Sequence, residues 1–101
     1  MTELTITRPD DWHVHLRDGA ALADTCADMA RYFGRVIVMP NLTPPVATVA
    51  DAAAYRERIL KAMRGLPRQF EPLMTLYLTD LTDAAEIQVA AAAEFLHAVK
   101  L

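Results

Sequence analysis

Cysteine and long apolar runs are scarce in this 101-residue sequence, and each scarcity excludes a class of protein. The lone cysteine, Cys26, permits neither an intramolecular disulfide nor a cysteine-based zinc site, and it suits a reducing setting. No apolar run approaches the roughly 20 residues that a membrane-spanning helix needs. The first residues lack the basic and apolar regions of a signal peptide. We therefore expect a cytoplasmic protein without a membrane partner.

Positive charge is also in short supply. Ten Lys and Arg residues stand against 13 Asp and Glu residues, the net charge is −3, and the basic residues are scattered. A nucleic-acid-binding surface usually needs a basic patch, so we expect no nucleic-acid partner. The length is sufficient for one small domain with a modest core.

Segments typical of strands and helices alternate along the chain in the order βαβαβαβ. We predict strands over residues 12–16, 35–39, 71–79 and 97–101. We predict helices over residues 20–33, from Thr48 to a break at Gly65, and from Asp83 to about residue 95. The second strand is apolar without alternation, which suits a strand that is covered on both faces. The order and the connection lengths predict an α/β fold with a parallel sheet.

Three local patterns predict how the helices begin and end. Gly34 follows the first helix and is expected to be its left-handed C-terminal residue. Thr48 is expected to cap the second helix, with Asp51 favouring its N-terminus. Asp83 and Glu86 have the spacing of a capping box at the start of the third helix.

Two histidines separated by one residue, His13 and His15, lie in the first predicted strand. Alternate strand residues point to the same face, so the two imidazoles can bind one metal ion from one side. Imidazole is a common zinc ligand, and strand ends are where parallel α/β folds build their sites. The spacing alone also allows two strand histidines that only form local hydrogen bonds.

Two further residues are candidates for binding a ligand at the same rim. Arg17 has the strand parity of His13 and His15, and its fork matches a carboxylate. Asn41 follows the second strand in the proline-rich loop 40–45. Taken alone, Arg17 is equally compatible with a solvated surface residue and Asn41 with a turn residue.

The fourth predicted strand carries Lys100 near the end of the sequence. Spacing alone favours an ordinary lysine that is free in solvent. The alternative is a desolvated, deprotonated lysine that reacts with CO₂ to give a carbamate, an anion that can bridge two metal ions. His97 has the opposite parity and is not expected to be a ligand. Cys26 is expected in the core, and a solvated face is expected for Arg56, Glu57, Arg58 and Lys61.

Together these residues resemble a known family. The resemblance lies in residues 8–19, 38–46, 55–60, 72–80 and 98–101. They are similar, in order and spacing, to the shorter single-function bacterial dihydroorotases of the amidohydrolase superfamily. The resemblance implies a (β/α)₈ TIM barrel, which needs about 250 residues. Residues 1–101 would be one partial metal-dependent hydrolase domain that ends after strand 4: the N-terminal half of the barrel, with four parallel strands and three helices.

The resemblance also implies a reaction and a site. The reaction is the zinc-dependent, reversible cyclisation of N-carbamoyl-L-aspartate to L-dihydroorotate, a step of pyrimidine synthesis. His13 and His15 would bind one of two Zn²⁺ ions, and Lys100, carbamylated as N6-carboxylysine, would bridge the two. Arg17 and Asn41 would hold the carboxylate of this small-molecule substrate. The family's catalytic aspartate would lie beyond residue 101, so no catalytic base is assigned here.

Two alternatives stay open beside this interpretation. A different cyclic amidohydrolase would share the barrel and the metals, although Arg17 with Asn41 favours an amino-acid-like carboxylate. A non-catalytic half-barrel would self-associate through its unpaired strand edges. The resemblance implies a homo-oligomer, the family dimer, and we expect the 101-residue polypeptide alone to be inactive.

Overall fold

Four strands alternate with three helices in the computed structural model, which describes residues 2–101. The strands are β1 (Asp11–Val14), β2 (Arg35–Val38), β3 (Glu71–Tyr77) and β4 (Leu96–Lys100). The helices are α1 (Leu22–Ala30), α2 (Val49–Ala62) and α3 (Ala84–Ala92), and a single 3₁₀ turn, Gly19–Ala21, leads into α1. None of the helices in the described range is long and apolar enough to cross a membrane.

The strands form one parallel sheet in the order β1-β2-β3-β4. Each strand therefore lies beside its neighbour in the sequence, with a helical connection between them. The predicted βαβαβαβ order and the parallel sheet are confirmed.

One face of the sheet and the three helices enclose the core. Tyr55 and Ile59 are fully buried on one face of α2, and Met63, equally buried, directly follows the last residue of the helix. Cys26 is fully buried on α1, as predicted. The strand residues that pack in this cluster are Val14, Val36, Val38, Met74 and Leu76. Alternate strand residues point to the opposite face, which is the face that carries the histidines.

Several elements are shorter than predicted. β1 ends at Val14 rather than at residue 16, and its register with β2 shifts between Asp11 and Val14. α1 runs over Leu22–Ala30 rather than 20–33, and the Arg8 guanidinium donates to the carbonyl of Ala30 at its end. Local periodicity predicts a helix from neighbouring residues only, so it cannot predict this contact with Arg8.

In the second half of the chain, β3 and α3 also end earlier than predicted, and local features mark both ends. β3 ends at Tyr77 rather than at residue 79, and the N–H of Thr79 donates to the Thr82 hydroxyl, 2.8 Å away. α3 ends at Ala92 rather than near residue 95, because the backbone of Ala93 is already extended. β4 begins at Leu96, one residue earlier than predicted.

Two of the predicted helix ends are wrong in part. Gly34 is not left-handed: its N–H donates to Pro9, and its carbonyl accepts from the N–H of Glu71. The capping box is half formed, because Asp83 accepts from the N–H of Ala85 but Glu86 does not bond back to its own helix. The Glu86 carboxylate accepts instead from the N–H of Val49 at the start of α2.

The other helix-end predictions are confirmed. Thr48 caps α2, with its hydroxyl 3.0 Å from the N–H of Asp51. Gly65 follows α2 with a φ of 82°, a left-handed conformation in which a side chain would be strained.

The segment before β1 is anchored to β2 by a charged contact. The carboxylate of Asp10 accepts from the backbone N–H and from the guanidinium of Arg35. This contact lowers the pKa of Asp10 below its ordinary value. The Arg35 guanidinium also lies 5.0 Å above the ring of Trp12. The ion pair is exposed, so we assign it an orienting role rather than a large share of the stability.

Candidate metal and substrate site

The two histidines of the motif face each other at the C-terminal end of β1. Their Nε2 atoms are 3.1 Å apart and their ring centroids 5.1 Å apart. Two tetrahedral ligands of one zinc ion lie about 3.3 Å apart, given metal–nitrogen distances near 2.05 Å. The geometry of His13 and His15 therefore fits a pair of ligands to one metal ion.

The surroundings of His15 favour its neutral form. Desolvation lowers the pKa of His15, and the nearby positive charges of His13, Lys100 and Arg17 lower it further. A neutral imidazole is the form that binds a metal ion.

Lys100 reaches this site from the far edge of the sheet. It is half-buried, lies opposite Tyr77 in the register of β3 and β4, and has its ammonium 5.6 Å from the centre of the Tyr77 ring. Its Nζ donates to the Oδ1 of Asn41 at 3.0 Å. Spacing alone favoured a lysine that is free in solvent, and this prediction is wrong, because Lys100 is half-buried and bonded to Asn41. This hydrogen bond joins the loop after β2, which carries Asn41, to the end of β4.

Arg17 lies on the same rim, but not for the reason that strand parity suggested. β1 has already ended, and Arg17 has a φ of 64°, in the left-handed region that side chains disfavour. Its side chain is exposed and forms no hydrogen bond to any residue in the range 2–101. The guanidinium is consequently available to an external anion.

Side chains from two helices hold the backbone that carries Arg17. The hydroxyl of Thr25 on α1 donates to the carbonyl of Leu16 at 2.6 Å. The hydroxyl of Tyr55 on α2 donates to the carbonyl of Arg17. The segment after the histidine motif is therefore attached to both helices.

The next residue is held by an ion pair that the sequence analysis missed. Arg58 donates from Nε and Nη2 to the two carboxylate oxygens of Asp18, each at 3.0 Å. We expected Arg58 on a solvated face, and Tyr55 was not singled out at all. The available signal was their separation of three residues, which places them on one side of α2.

Other candidate groups lie away from this site. His97 is exposed and lines a separate cavity with Arg56 and Glu94, as expected for a residue that is not a ligand. Residues 2–101 contain no cluster of three or more His, Cys, Asp or Glu side chains that could hold a metal ion. A cavity of about 610 Å³ lies between the loops that follow β2 and β3, but its lining includes neither histidine of the motif. We therefore place the candidate site at His13, His15 and Lys100, whose side chains can bind a metal ion, and not at this cavity.

Comparison with known proteins decides the family. The sequence pattern of the amidohydrolase family matches residues 7–98. The chain belongs to the amidohydrolase family. Among curated members, it is 68% identical over 98% of its length to a dihydroorotase from Cupriavidus necator. It is 65% identical over 97% of its length to a dihydroorotase from Pseudomonas paraeruginosa.

Solved structures agree with this family assignment. A 2.4 Å crystal structure of dihydroorotase from Campylobacter jejuni matches 93% of the chain with a TM-score of 0.81 and 37% identity. Dihydroorotase from Saccharomyces cerevisiae in complex with 5-fluoroorotic acid matches 90% of it with a TM-score of 0.78 and 27% identity. The predicted resemblance and the predicted fold, the N-terminal half of a (β/α)₈ barrel, are confirmed.

Each match covers only part of the similar protein. The chain spans 28% of the length of the curated amidohydrolases named above. It spans 26% and 24% of the two solved structures.

Proposed function

We propose that this chain forms the N-terminal part of the active site of a dihydroorotase. The reaction is the zinc-dependent, reversible cyclisation of N-carbamoyl-L-aspartate to L-dihydroorotate in pyrimidine synthesis. One observation carries the proposal: two pairs of side chains in contact, His13 with His15 and Lys100 with Asn41, lie at or just after the C-terminal ends of strands of one parallel sheet. It is supported by the 68% identity to the Cupriavidus necator dihydroorotase.

His13 and His15 would hold one of two Zn²⁺ ions, and Lys100, as N6-carboxylysine, would be a ligand shared by both. The ring-nitrogen separation of 3.1 Å and the half-buried position of Lys100 support this set. The metal ions would lower the pKa of a water molecule and polarise the amide carbonyl of the substrate. Carbamylation joins the neutral lysine amine to CO₂ and releases one proton. The carbamate keeps one N–H, which can still donate to Asn41.

Arg17 and Asn41 would bind the substrate carboxylate. The Arg17 fork has no hydrogen-bond partner within residues 2–101, so it can engage both carboxylate oxygens. The Oδ1 of Asn41 accepts from Lys100, which leaves its NH₂ group free to donate to the same anion. A ring substrate without a carboxylate would leave Arg17 unused, which favours dihydroorotate over other cyclic amides.

The remaining features rest on the family resemblance. We propose that residues 1–101 are part of one metal-dependent hydrolase domain in a cytoplasmic homo-oligomer. No catalytic base is assigned to this chain, so the 101-residue polypeptide by itself is expected to show no turnover.

The test uses a completed barrel, in which residues 1–101 replace the matching 28% of the Cupriavidus necator dihydroorotase. We expect it to hydrolyse L-dihydroorotate in preference to hydantoin. A preference for hydantoin would instead indicate a different cyclic amidohydrolase, and hydrolysis of neither would contradict both assignments.

Zinc content and intact mass test the ligand set in the same protein. His15→Ala is expected to lower the zinc bound per barrel and to abolish most activity, because a metal ligand is lost. His97→Ala is the matched control, since it removes an exposed histidine away from the site and should change neither. The intact mass should include one CO₂, which should be absent in Lys100→Arg. Equal zinc in the two histidine variants would contradict the proposed ligands.

A further inference from the structure

The backbone at Arg17 is held in a conformation that it does not favour. Arg17 is the one non-glycine residue between positions 2 and 101 with a positive φ, at 64°. In this region the Cβ of an L-residue crowds its own backbone, which costs free energy. Such a conformation persists only where surrounding contacts impose it. The contacts made by Arg17 are therefore informative about function.

The contact that bears directly on Arg17 comes from Tyr55. The Tyr55 ring is fully buried on α2, and its hydroxyl donates to the carbonyl of Arg17. Burial raises the pKa of Tyr55, and the negative charge of Asp18 raises it further, so the hydroxyl keeps the proton that it donates. The Arg58 guanidinium lies 5.2 Å from the centre of the same ring and pairs with Asp18. Two side chains of one helix face thus fix two consecutive residues.

We propose that Tyr55 is a positioning residue, whose hydroxyl fixes the carbonyl of Arg17 and so orients the Arg17 guanidinium toward the substrate carboxylate. This inference rests on the proposed function of Arg17. The orientation of a carbonyl determines the ψ angle of its residue, and with φ it sets the direction in which the side chain leaves the backbone. The Arg17 side chain is exposed and has no hydrogen bond of its own within the described range, so the Cα–Cβ direction set by its backbone is the constraint on which region its guanidinium can reach. Bidentate binding of a carboxylate depends on that direction.

The test is Tyr55→Phe in the completed barrel, with Ile59→Val as the matched control. Ile59 lies one turn further along the same buried face, and its truncation loosens the core without touching Arg17. Loss of one hydrogen bond should raise the KM for dihydroorotate about fivefold in Tyr55→Phe, with kcat changed less than about twofold. The inhibition constant of 5-fluoroorotate, which carries a carboxylate, should rise by a similar factor. Ile59→Val should lower the melting temperature and leave both constants unchanged.

A double-mutant cycle separates positioning from general structural damage. In an Arg17→Ala background, Tyr55→Phe should no longer raise KM, because the group that it positions is gone. An effect of the same size in both backgrounds, or equal KM values for Tyr55→Phe and Ile59→Val, would overturn the inference. Dihydroorotate turnover by the parent barrel would leave the proposed function standing in that case.

Hydrogen exchange gives a readout that does not need activity. Amides in residues 16–18 should exchange faster in Tyr55→Phe than in Ile59→Val if the hydroxyl holds this segment. If the parent barrel showed no turnover but this difference appeared, the proposed function would fail and the holding contact would stand. Equal exchange in the two variants would contradict the contact itself.

Discussion

At the scale of single residues, the sequence predicted some contacts of the candidate site but not others. His13 and His15 could be paired from strand parity, because the contact lies between neighbours in the sequence. Asn41 could be placed on the same rim from its position after a strand. The hydrogen-bond partner of Lys100 could not be predicted in this way, because Asn41 lies 59 positions away along the chain. Arg17 was placed at the correct rim through an incorrect continuation of β1.

Two threonines should respond in opposite ways to replacement by valine. The hydroxyl of Thr75 is buried in β3 with no hydrogen-bond partner between residues 2 and 101, whereas that of Thr25 donates to the carbonyl of Leu16. A buried hydroxyl without a hydrogen-bond partner destabilises the folded state, whereas a hydrogen-bonded hydroxyl stabilises it. Thr75→Val should therefore raise the free energy of unfolding by about 1 kcal/mol, and Thr25→Val should lower it by about 1 kcal/mol.

Thermal unfolding of the two variants in the completed barrel measures this difference. Both substitutions replace a hydroxyl by a methyl group of similar shape, so each is the control of the other. A lower melting temperature for Thr75→Val would mean that its hydroxyl has a partner outside the described residues.

At the scale of elements, order and type were predictable, as were both ends of α2, whereas several other ends were not. Alternating apolar strands and amphipathic helices specify βαβαβαβ through local periodicity. The side chain that contacts the C-terminal end of α1 lies 22 positions away along the chain, and the partner of Glu86 lies 37 positions away. The spacing of Asp83 and Glu86 matched a capping box, yet a neighbouring helix start competed for the same carboxylate. A local pattern cannot anticipate that competition.

The contact of Glu86 predicts that α3 stabilises the start of α2. Its carboxylate accepts from the N–H of Val49, one of the donors that a helix N-terminus leaves unpaired, and it is favoured there by the helix dipole. Glu86→Ala should lower the free energy of unfolding of the completed barrel by about 1–2 kcal/mol. Glu86→Gln keeps an acceptor oxygen without the charge and should recover about half of that loss.

Glu94→Ala is the control for Glu86→Ala, measured by denaturant unfolding. Glu94 is exposed and forms no hydrogen bond or ion pair with another described residue, so its loss should be close to neutral. Equal losses for the two alanine variants would mean that total charge, rather than the contact to α2, determines the effect.

At the scale of the whole molecule, the sheet has two open edges. Within residues 2–101, β1 pairs only with β2, and β4 pairs only with β3. Apolar side chains lie exposed near these edges, including Trp12, Val99 and Leu101, which are 50%, 52% and 88% exposed. Unpaired edges with apolar side chains are templates for association. We therefore expect the isolated 101-residue polypeptide to self-associate and to show no dihydroorotate turnover, whereas the completed barrel should be soluble and active.

A lysine on the edge strand tests whether β4 drives this association. Val99→Lys should shift the isolated polypeptide toward smaller species in sedimentation velocity, because a charge on an edge strand opposes strand pairing. Val89→Lys is the matched control: Val89 is 56% exposed but lies on the helix α3 rather than on a strand, so it offers no backbone for strand pairing. Equal shifts would indicate that overall charge, rather than the β4 edge, controls association. A monodisperse monomer of the unsubstituted polypeptide would contradict the expectation directly, since it would mean that open edges and exposed apolar groups do not suffice to bring these chains together.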